Sequence, residues 1–276
     1  MKKFLNILAI AILMVGLTMS AVCAENIKFV QISDTHLSAG SEFSQKVLKS
    51  TVEDINKQAD ISFVVFTGDN INNPKEENLR QFVKIANKLK VPYYVALGNH
   101  DVYKSDGLSK VRYYEILRQR NILYPQRKPN YAFKKDGFVF LIVDGAKEVI
   151  PGSAGYYRKD TLNWLENQLK KNSKKNIVIF QHFPVEYPEG MEHRVKSHKT
   201  YKVEQYQDLL SKYHNVLAVI SGHFHVNAEH MNDGVYHIAS PSLQALPHSY
   251  KIIDIITTKE FSPIIYTQLR EVVVEE

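Results

Sequence analysis

Five short stretches carry the residue types that metal and acid–base chemistry need: Asp34-Thr35-His36, Gly68-Asp69, Gly98-Asn99-His100-Asp101, His182 and Gly222-His223-Phe224-His225. Carboxylate, amide and imidazole donors in one set suit borderline divalent or trivalent ions such as manganese, iron or zinc, rather than calcium or copper(I). Asp34, His36, Asp69, Asn99, His182, His223 and His225 are too many for one ion and enough for two if one carboxylate bridges. Two cations a few ångströms apart stabilise the attacking and leaving oxygens of an in-line displacement at phosphorus. They also lower the pKa of a shared water, which makes hydroxide available near neutral pH. Taken singly, an aspartate at a strand end is ordinary turn chemistry and a histidine is an ordinary surface residue; the ordered set points to metal.

The elements that would bring these residues together are legible in the hydrophobic pattern. Strands are expected at 27–33, 61–67, 92–97, 177–180 and 216–220, and each ends at one of the polar stretches. Helices are expected at 42–59, 75–89, 108–120 and 203–213, with another from Thr161 to about Lys171 capped by Asp160. Further strands are expected at 130–135 and 138–144, flanking Lys135-Asp136-Gly137, and around 226–232, 235–239, 249–257 and 263–269, with Asn232-Asp233-Gly234 as a second hairpin turn. This reads as one α/β domain of alternating units followed by a strand-rich half. Sites in open α/β sheets lie at the carboxyl ends of strands, so one edge would gather Asp34, Asp69, Asn99, His182 and His223. Gly68, Gly98 and Gly222 are expected to let the backbone turn sharply there.

The order and spelling of the motifs (D-x-H, GD, GNHD, H, GHxH) resemble the calcineurin-like metallophosphoesterase superfamily, from about Ile27 to His225. The resemblance implies a four-layer α/β/β/α sandwich, two mixed β-sheets flanked by helices. It implies two metal ions, one held by Asp34, His36 and His225, the other by Asn99, His182 and His223, with Asp69 bridging. It implies that His100 contacts the phosphate and protonates the leaving oxygen. Many small cyclic-nucleotide phosphodiesterases of this superfamily carry an aspartate three residues after the bridging one. Here that position is Asn72, whose amide is expected to orient His100 less strongly, with Asp101 as the other candidate for a catalytic role.

Other branches lack support. No tyrosine follows Gly68-Asp69 closely, Leu97 rather than arginine precedes Gly98, and His100 is not replaced by arginine. What remains resembles the compact branch that includes bacterial class III cyclic-nucleotide phosphodiesterases. Gly155-Tyr156-Tyr157 and the segment Leu162–Leu169 are similar to a stretch of that branch. The reading is a phosphodiesterase acting on a small phosphate ester, with a phosphomonoesterase as one alternative and a non-catalytic scaffold of the same fold as another.

Composition sets the frame. Residues 1–24 open with Met1-Lys2-Lys3, continue through an apolar run from Ile7 to Met19 and end at Ala24, the layout of a signal peptide. The run is shorter than the ~20 residues a membrane span needs. Cleavage after Ala24 would take 24 of the 276 residues and leave 25–276 as the metallophosphoesterase domain, exported to a periplasm or secreted. Membrane attachment would require an uncleaved segment or lipidation of Cys23. That single cysteine excludes an intrachain disulfide framework and a thiolate zinc cluster. The net charge of +6 falls to +4 when Lys2 and Lys3 leave, too little for a nucleic-acid binder. The loop 184–200, with His193, Arg194, Lys196, His198 and Lys199, reads as a solvated surface loop, or as a basic lid gripping a second phosphate. Phe183, Phe224 and Tyr250 read as core rather than as a base-stacking surface, His214, His230, His237 and His248 receive no role, and nothing fixes the oligomeric state.

Overall fold

The structure is a computed structural model that describes residues 25–120, 126, 128–150, 152–187, 190–191, 196, 198–258 and 263–274. The expected signal peptide, Cys23, His193 and Arg194 lie outside the described residues. Among the described residues no helix is long and apolar enough to cross a membrane.

Two mixed sheets form the body. The first comprises β1 (Glu25–Ile32), β2 (Val64–Thr67), β3 (Tyr93–Ala96), β12 (Ser249–Thr257) and β13 (Ile264–Glu271), in the order β13-β12-β1-β2-β3. The second comprises β4 (Tyr131–Lys135), β5 (Phe138–Ile142), β7 (Ile177–Phe180), β9 (Val216–Ser221), β10 (Ala228–Asn232) and β11 (Val235–Ala239), in the order β10-β11-β9-β7-β5-β4. Strands β1, β2 and β3 run parallel, as do β5, β7, β9 and β11. A two-strand ribbon, β6 (Gly155–Tyr156) with β8 (Thr200–Tyr201), was not expected; at two residues each, these strands are too short for a hydrophobic period to register.

Among the described residues five α-helices flank the sheets: α1 (Glu42–Ile55), α2 (Glu76–Ala86), α3 (Lys110–Arg120), α4 (Lys159–Lys171) and α5 (Val203–Lys212). Helix α4 starts earlier than expected. Arg158 takes the N-cap position, which places Asp160 inside the first turn, where its charge still suits the positive end of the helix dipole. Both expected hairpin turns form, and Asp136-Gly137 and Asp233-Gly234 have the paired positive φ that such tight turns require.

The space between the sheets is packed with aromatic rings. Phe29 of β1 and Phe63, which immediately precedes β2, meet Phe140 of the second sheet with centroids 5.9 and 5.0 Å apart, Phe29 meets Phe180 at 5.4 Å, and Tyr94 stacks on Phe133. Each such contact adds to the burial of large apolar surface. Phe66, on the opposite face of β2, packs instead on Phe82 of α2. Buried Gln31 ties the layers beneath the site, donating to Thr67 Oγ1 at 3.0 Å and to the Ser221 carbonyl of the other sheet at 2.8 Å.

Candidate metal centre

The carboxyl ends of β1, β2, β3, β7 and β9 converge on one edge. Asp34, His36 and His225 form one cluster of donors, Asp69, His182 and His223 a second, and His36, Asp69 and His100 a third between them; within each, one donor atom per residue lies within 4.8 Å of the others. His225 Nε2 is 3.1 Å from Asp34 Oδ1 and 3.4 Å from His36 Nε2. Asp69 Oδ2 lies 3.3 Å from His182 Nε2 and 3.9 Å from His36 Nε2, between the two outer clusters.

The chain reaches these positions through unusual backbone. Asp34, His36, Asp69, His223 and His225 all have positive φ, between 40° and 70°. Asp and His enter this region more readily than most side chains, yet it remains sparsely populated, and such conformations cluster where a site over-determines them. The turning is thus done largely by the donors themselves. Gly68 has a φ of +97°, but Gly98 and Gly222 do not share that conformation; they are needed for close approach. A Cβ on Gly98 would lie 2.1 Å from Asp69 Oδ1 and 2.4 Å from the Asp69 backbone nitrogen.

Neighbouring groups decide which atoms face the centre. Asp34 Oδ2 accepts from Ser33 Oγ and the His223 N–H, which leaves Oδ1 toward His225. His182 Nδ1 is 2.9 Å from the Thr67 carbonyl, which fixes Nδ1–H as donor and Nε2 as the free lone pair. His223 Nε2 stands 3.3 Å from the His198 carbonyl, and with that nitrogen donating, Nδ1 is free. Thus the end of the 184–200 loop touches the centre rather than lying wholly in solvent, although Lys196 and Lys199 are exposed. Ser33 and Thr67 adjoin the motifs in sequence but carry no signal of their own; His198 lay in a loop whose composition read as surface.

Electrostatics follow from burial. Asp34 and Asp69 are held ionised below the usual carboxylate range: burial opposes their charge, but His182 and its neighbours outweigh it. Burial likewise opposes a proton on His182, yet without a cation Asp69 and Asp34 raise it to about 9, so a cation bound at Nε2 would displace a proton there, whereas burial and the charge of His182 push His223 down to about 3.

A cation fits this donor set. The buried His182 Nε2 and Asn99 Oδ1 have no hydrogen-bond partner; the imidazole nitrogen faces Asp69 outside hydrogen-bonding geometry. Buried polar atoms of native proteins are nearly always satisfied, so these two point to a missing electrophile. The separations of 3.1, 3.3 and 3.4 Å match the edge of a coordination polyhedron, about 3.0–3.4 Å for bonds near 2.1 Å.

His100 and Asp101 divide. The His100 N–H donates to Asp69 Oδ1 at 2.8 Å, and its ring stands 4.7 Å from that of His36. Its Nδ1 meets the backbone carbonyl of Asn72 at 2.7 Å, so the main chain rather than the Asn72 amide orients the ring. Asp101 is fully buried and does not face the centre. Its oxygens accept from Asn70 N and Nδ2, Ile71 N and Gly98 N at 2.8–3.2 Å. These hydrogen bonds go to the turns that carry Asp69 and Asn99, the contacts of a positioning residue rather than of the catalytic one expected from the sequence. Phe183, Phe224 and Tyr250 are buried, as expected for core.

Residues 27–227 match the sequence profile of the calcineurin-like phosphoesterases. The chain belongs to this family. As a calcineurin-like phosphoesterase it is a metal-dependent phosphoester hydrolase, and the family is dinuclear-metal dependent. It is 30% identical over 204 residues to a protein of Arcobacter nitrofigilis named "Probable glycerophosphodiester phosphodiesterase GpdQ", covering 71% of each chain. It is 25% identical over 234 residues to the 3′,5′-cyclic adenosine monophosphate phosphodiesterase CpdA of Vibrio vulnificus, covering 82% of this chain and 80% of the other. A dimetal phosphatase from Danio rerio shares the fold, with a TM-score of 0.64 at 16% identity over 87% of this chain and 98% of that one.

Proposed function

We propose that this calcineurin-like phosphoesterase is an exported phosphodiesterase that hydrolyses a small phosphodiester at a two-metal centre, with His100 as general acid. The observation that carries this reading is the place of Asp69, whose Oδ2 lies between His182 and His36 and is suited to serve two cations. Asp34, His36 and His225 would hold one, and Asn99, His182 and His223 the other. When bound, two such cations neutralise phosphoryl charge and make a water nucleophilic near neutral pH; manganese, iron and zinc all suit these donors.

The chain's own groups supply the rest. Nδ1–H of His100 is held by the Asn72 carbonyl, which turns Nε2 toward the space beside His36. From there a protonated Nε2 delivers its proton to the departing alkoxide oxygen. A carbonyl stabilises the imidazolium less than a carboxylate would. Asp69 fixes the His100 backbone and, through Oδ2, the spacing between the two clusters.

The mature chain is proposed to begin at Glu25, after cleavage of residues 1–24, and to comprise 25–276 as one domain in a periplasm or outside the cell. Intact mass of the secreted protein tests this; retention of Met1 contradicts it. The activity test is hydrolysis of bis-p-nitrophenyl phosphate against p-nitrophenyl phosphate with manganese added, followed by cyclic nucleotides and glycerophosphodiesters. Faster diester hydrolysis supports the reading. A monoester preference makes the protein a phosphomonoesterase, and no turnover of either by the metal-loaded chain makes it a scaffold.

A further inference from the structure

Two histidines outside the metal centre face each other at the β10 edge of the second sheet. His230 of β10 and His237 of β11 are directly opposed in the antiparallel ladder, and their rings stack with centroids 5.1 Å apart and planes 16° from parallel. Side chains at such positions share one face of the sheet, with Cβ atoms about 4.5–5.5 Å apart. His237 is buried, and both ring nitrogens of His230 are buried with no hydrogen-bond partner among the described residues. Packing accounts for the stacking but not for those two nitrogens. A neutral imidazole carries one N–H and one lone pair, and each is nearly always satisfied when buried.

The surroundings favour a cation. The two histidines line a cavity of about 10 Å3 together with Glu186, Ser221 and Phe224, room for about one water-sized particle. Glu186 and His237 also line a second small cavity, with Gln207 and Asp233. The Glu186 Oε1 accepts from Gln207 Nε2 at 2.6 Å, which holds that carboxylate in place. Among the described residues no lysine or arginine lines either cavity. An anion would meet carboxylates and lone pairs with no counter-charge, whereas a cation is attracted by both. Burial first, and His230 second, hold the His237 pKa down to about 4, so its lone pair is free for a cation at neutral pH.

We propose that His230 and His237 form a further metal site, in which one imidazole from each strand holds a single transition-metal cation of the zinc, nickel or copper(II) class. Rotation of the rings about χ2 turns one nitrogen of each toward a shared point between the strands. Glu186 adds negative charge beside that point, and water completes the coordination. Imidazole suits zinc, copper and nickel, while manganese stands lowest in the divalent series and is a poor occupant here. None of the residues proposed for the dinuclear centre takes part, and the site does not depend on the phosphodiesterase reading. The two are nonetheless neighbours: Phe224, on the cavity wall, stands between His223 and His225 in sequence, and Pro184, also on the wall, is two residues beyond His182. A cation at this point ties the edge strand β10 to β11 next to the turn that carries His223 and His225, a structural role that needs no substrate.

The test reads bound zinc rather than activity. The chain and its variants are dialysed against buffered free zinc at about 10 μM, and the zinc retained per chain is measured by elemental analysis. The wild type is expected to hold about one zinc more than His230→Gln/His237→Gln. The same difference is expected when both proteins also carry His182→Ala, which disables part of the dinuclear centre and leaves this site intact. His230→Gln alone is expected to weaken the ion at least about tenfold, and Glu186→Gln about two- to fivefold. If the double variant loses its native circular dichroism spectrum, His230→Gln decides alone, since a polar replacement on an edge strand is readily tolerated. Equal zinc content in the wild type and the folded variants overturns the proposal. So does a difference that vanishes in the His182→Ala background, which returns the ion to the dinuclear centre.

Discussion

His100 Nδ1 lies 2.7 Å from the backbone carbonyl of Asn72, so the ring that is to give up a proton is held by main chain. This makes the side chain at 72 expendable and the imidazole essential. Replacing His100 with alanine is expected to lower turnover of a diester with an alkyl or nucleoside leaving group by about 10²–10⁴-fold. With p-nitrophenolate, which leaves without protonation, the loss is expected to stay below about tenfold. Asn72→Ala is expected to keep kcat within about threefold, because the carbonyl remains. Equal losses on both substrates in His100→Ala would contradict the general-acid role.

Asp101 is a different kind of residue. It gathers N–H groups from Asn70, Ile71 and Gly98 onto one buried carboxylate and so joins the turn after β2 to the turn after β3. Asp101→Ala strands those donors, each worth about 1–3 kcal/mol when left unsatisfied in the interior. A lowered urea midpoint is expected together with reduced metal content, and excess manganese should restore part of the activity. Full metal content and wild-type stability with lost activity would return Asp101 to the chemistry.

These two neighbours show how far the sequence could be read. Donor identity and strand order were legible because each motif sits where a strong hydrophobic run stops, and strand ends in parallel sheets meet at one edge. The roles of adjacent residues were not, because His100 and Asp101 differ only in direction: one side chain turns outward to Asn72, the other inward to Gly98. The same holds for the glycines, where Gly98 serves close approach to Asp69 rather than a positive φ. Contacts by main-chain carbonyls, such as Thr67 with His182 and His198 with His223, leave no trace in residue type. The β6–β8 ribbon joins segments far apart in the chain.

Metal removal should be felt by the whole fold. The buried Asp34 and Asp69 stand opposite the unpartnered His182 Nε2 and Asn99 Oδ1, an arrangement that a cation completes. Binding to the folded chain alone adds about 4 kcal/mol when free metal is a thousandfold above Kd. For a domain of this size that is a shift of about 10 °C. Chelation followed by addition of manganese is expected to lower and then restore Tm by that order in differential scanning fluorimetry, and His182→Ala should abolish the restored increment. A chelator-treated chain with unchanged Tm and no response to added metal would sink the assignment.

His237 gives the fold an acid sensitivity separate from catalysis. It sits on β11 directly opposite His230 on β10, their rings stacked with centroids 5.1 Å apart. Burial first, and the neighbouring His230 second, hold His237 down to about 4. In the unfolded chain it titrates near ~6.5. Between those values the unfolded state binds a proton that the folded state refuses, so stability falls as pH drops through this window and the loss is complete below about 4. At ~1.36 kcal/mol per pKa unit, acidification from pH 7.5 to 4.5 is expected to remove about 2–3 kcal/mol through this residue. Urea denaturation of His237→Gln at both pH values checks the claim: the variant should lose about that much less than the wild type on acidification. Parallel losses in the two proteins would place the acid sensitivity elsewhere.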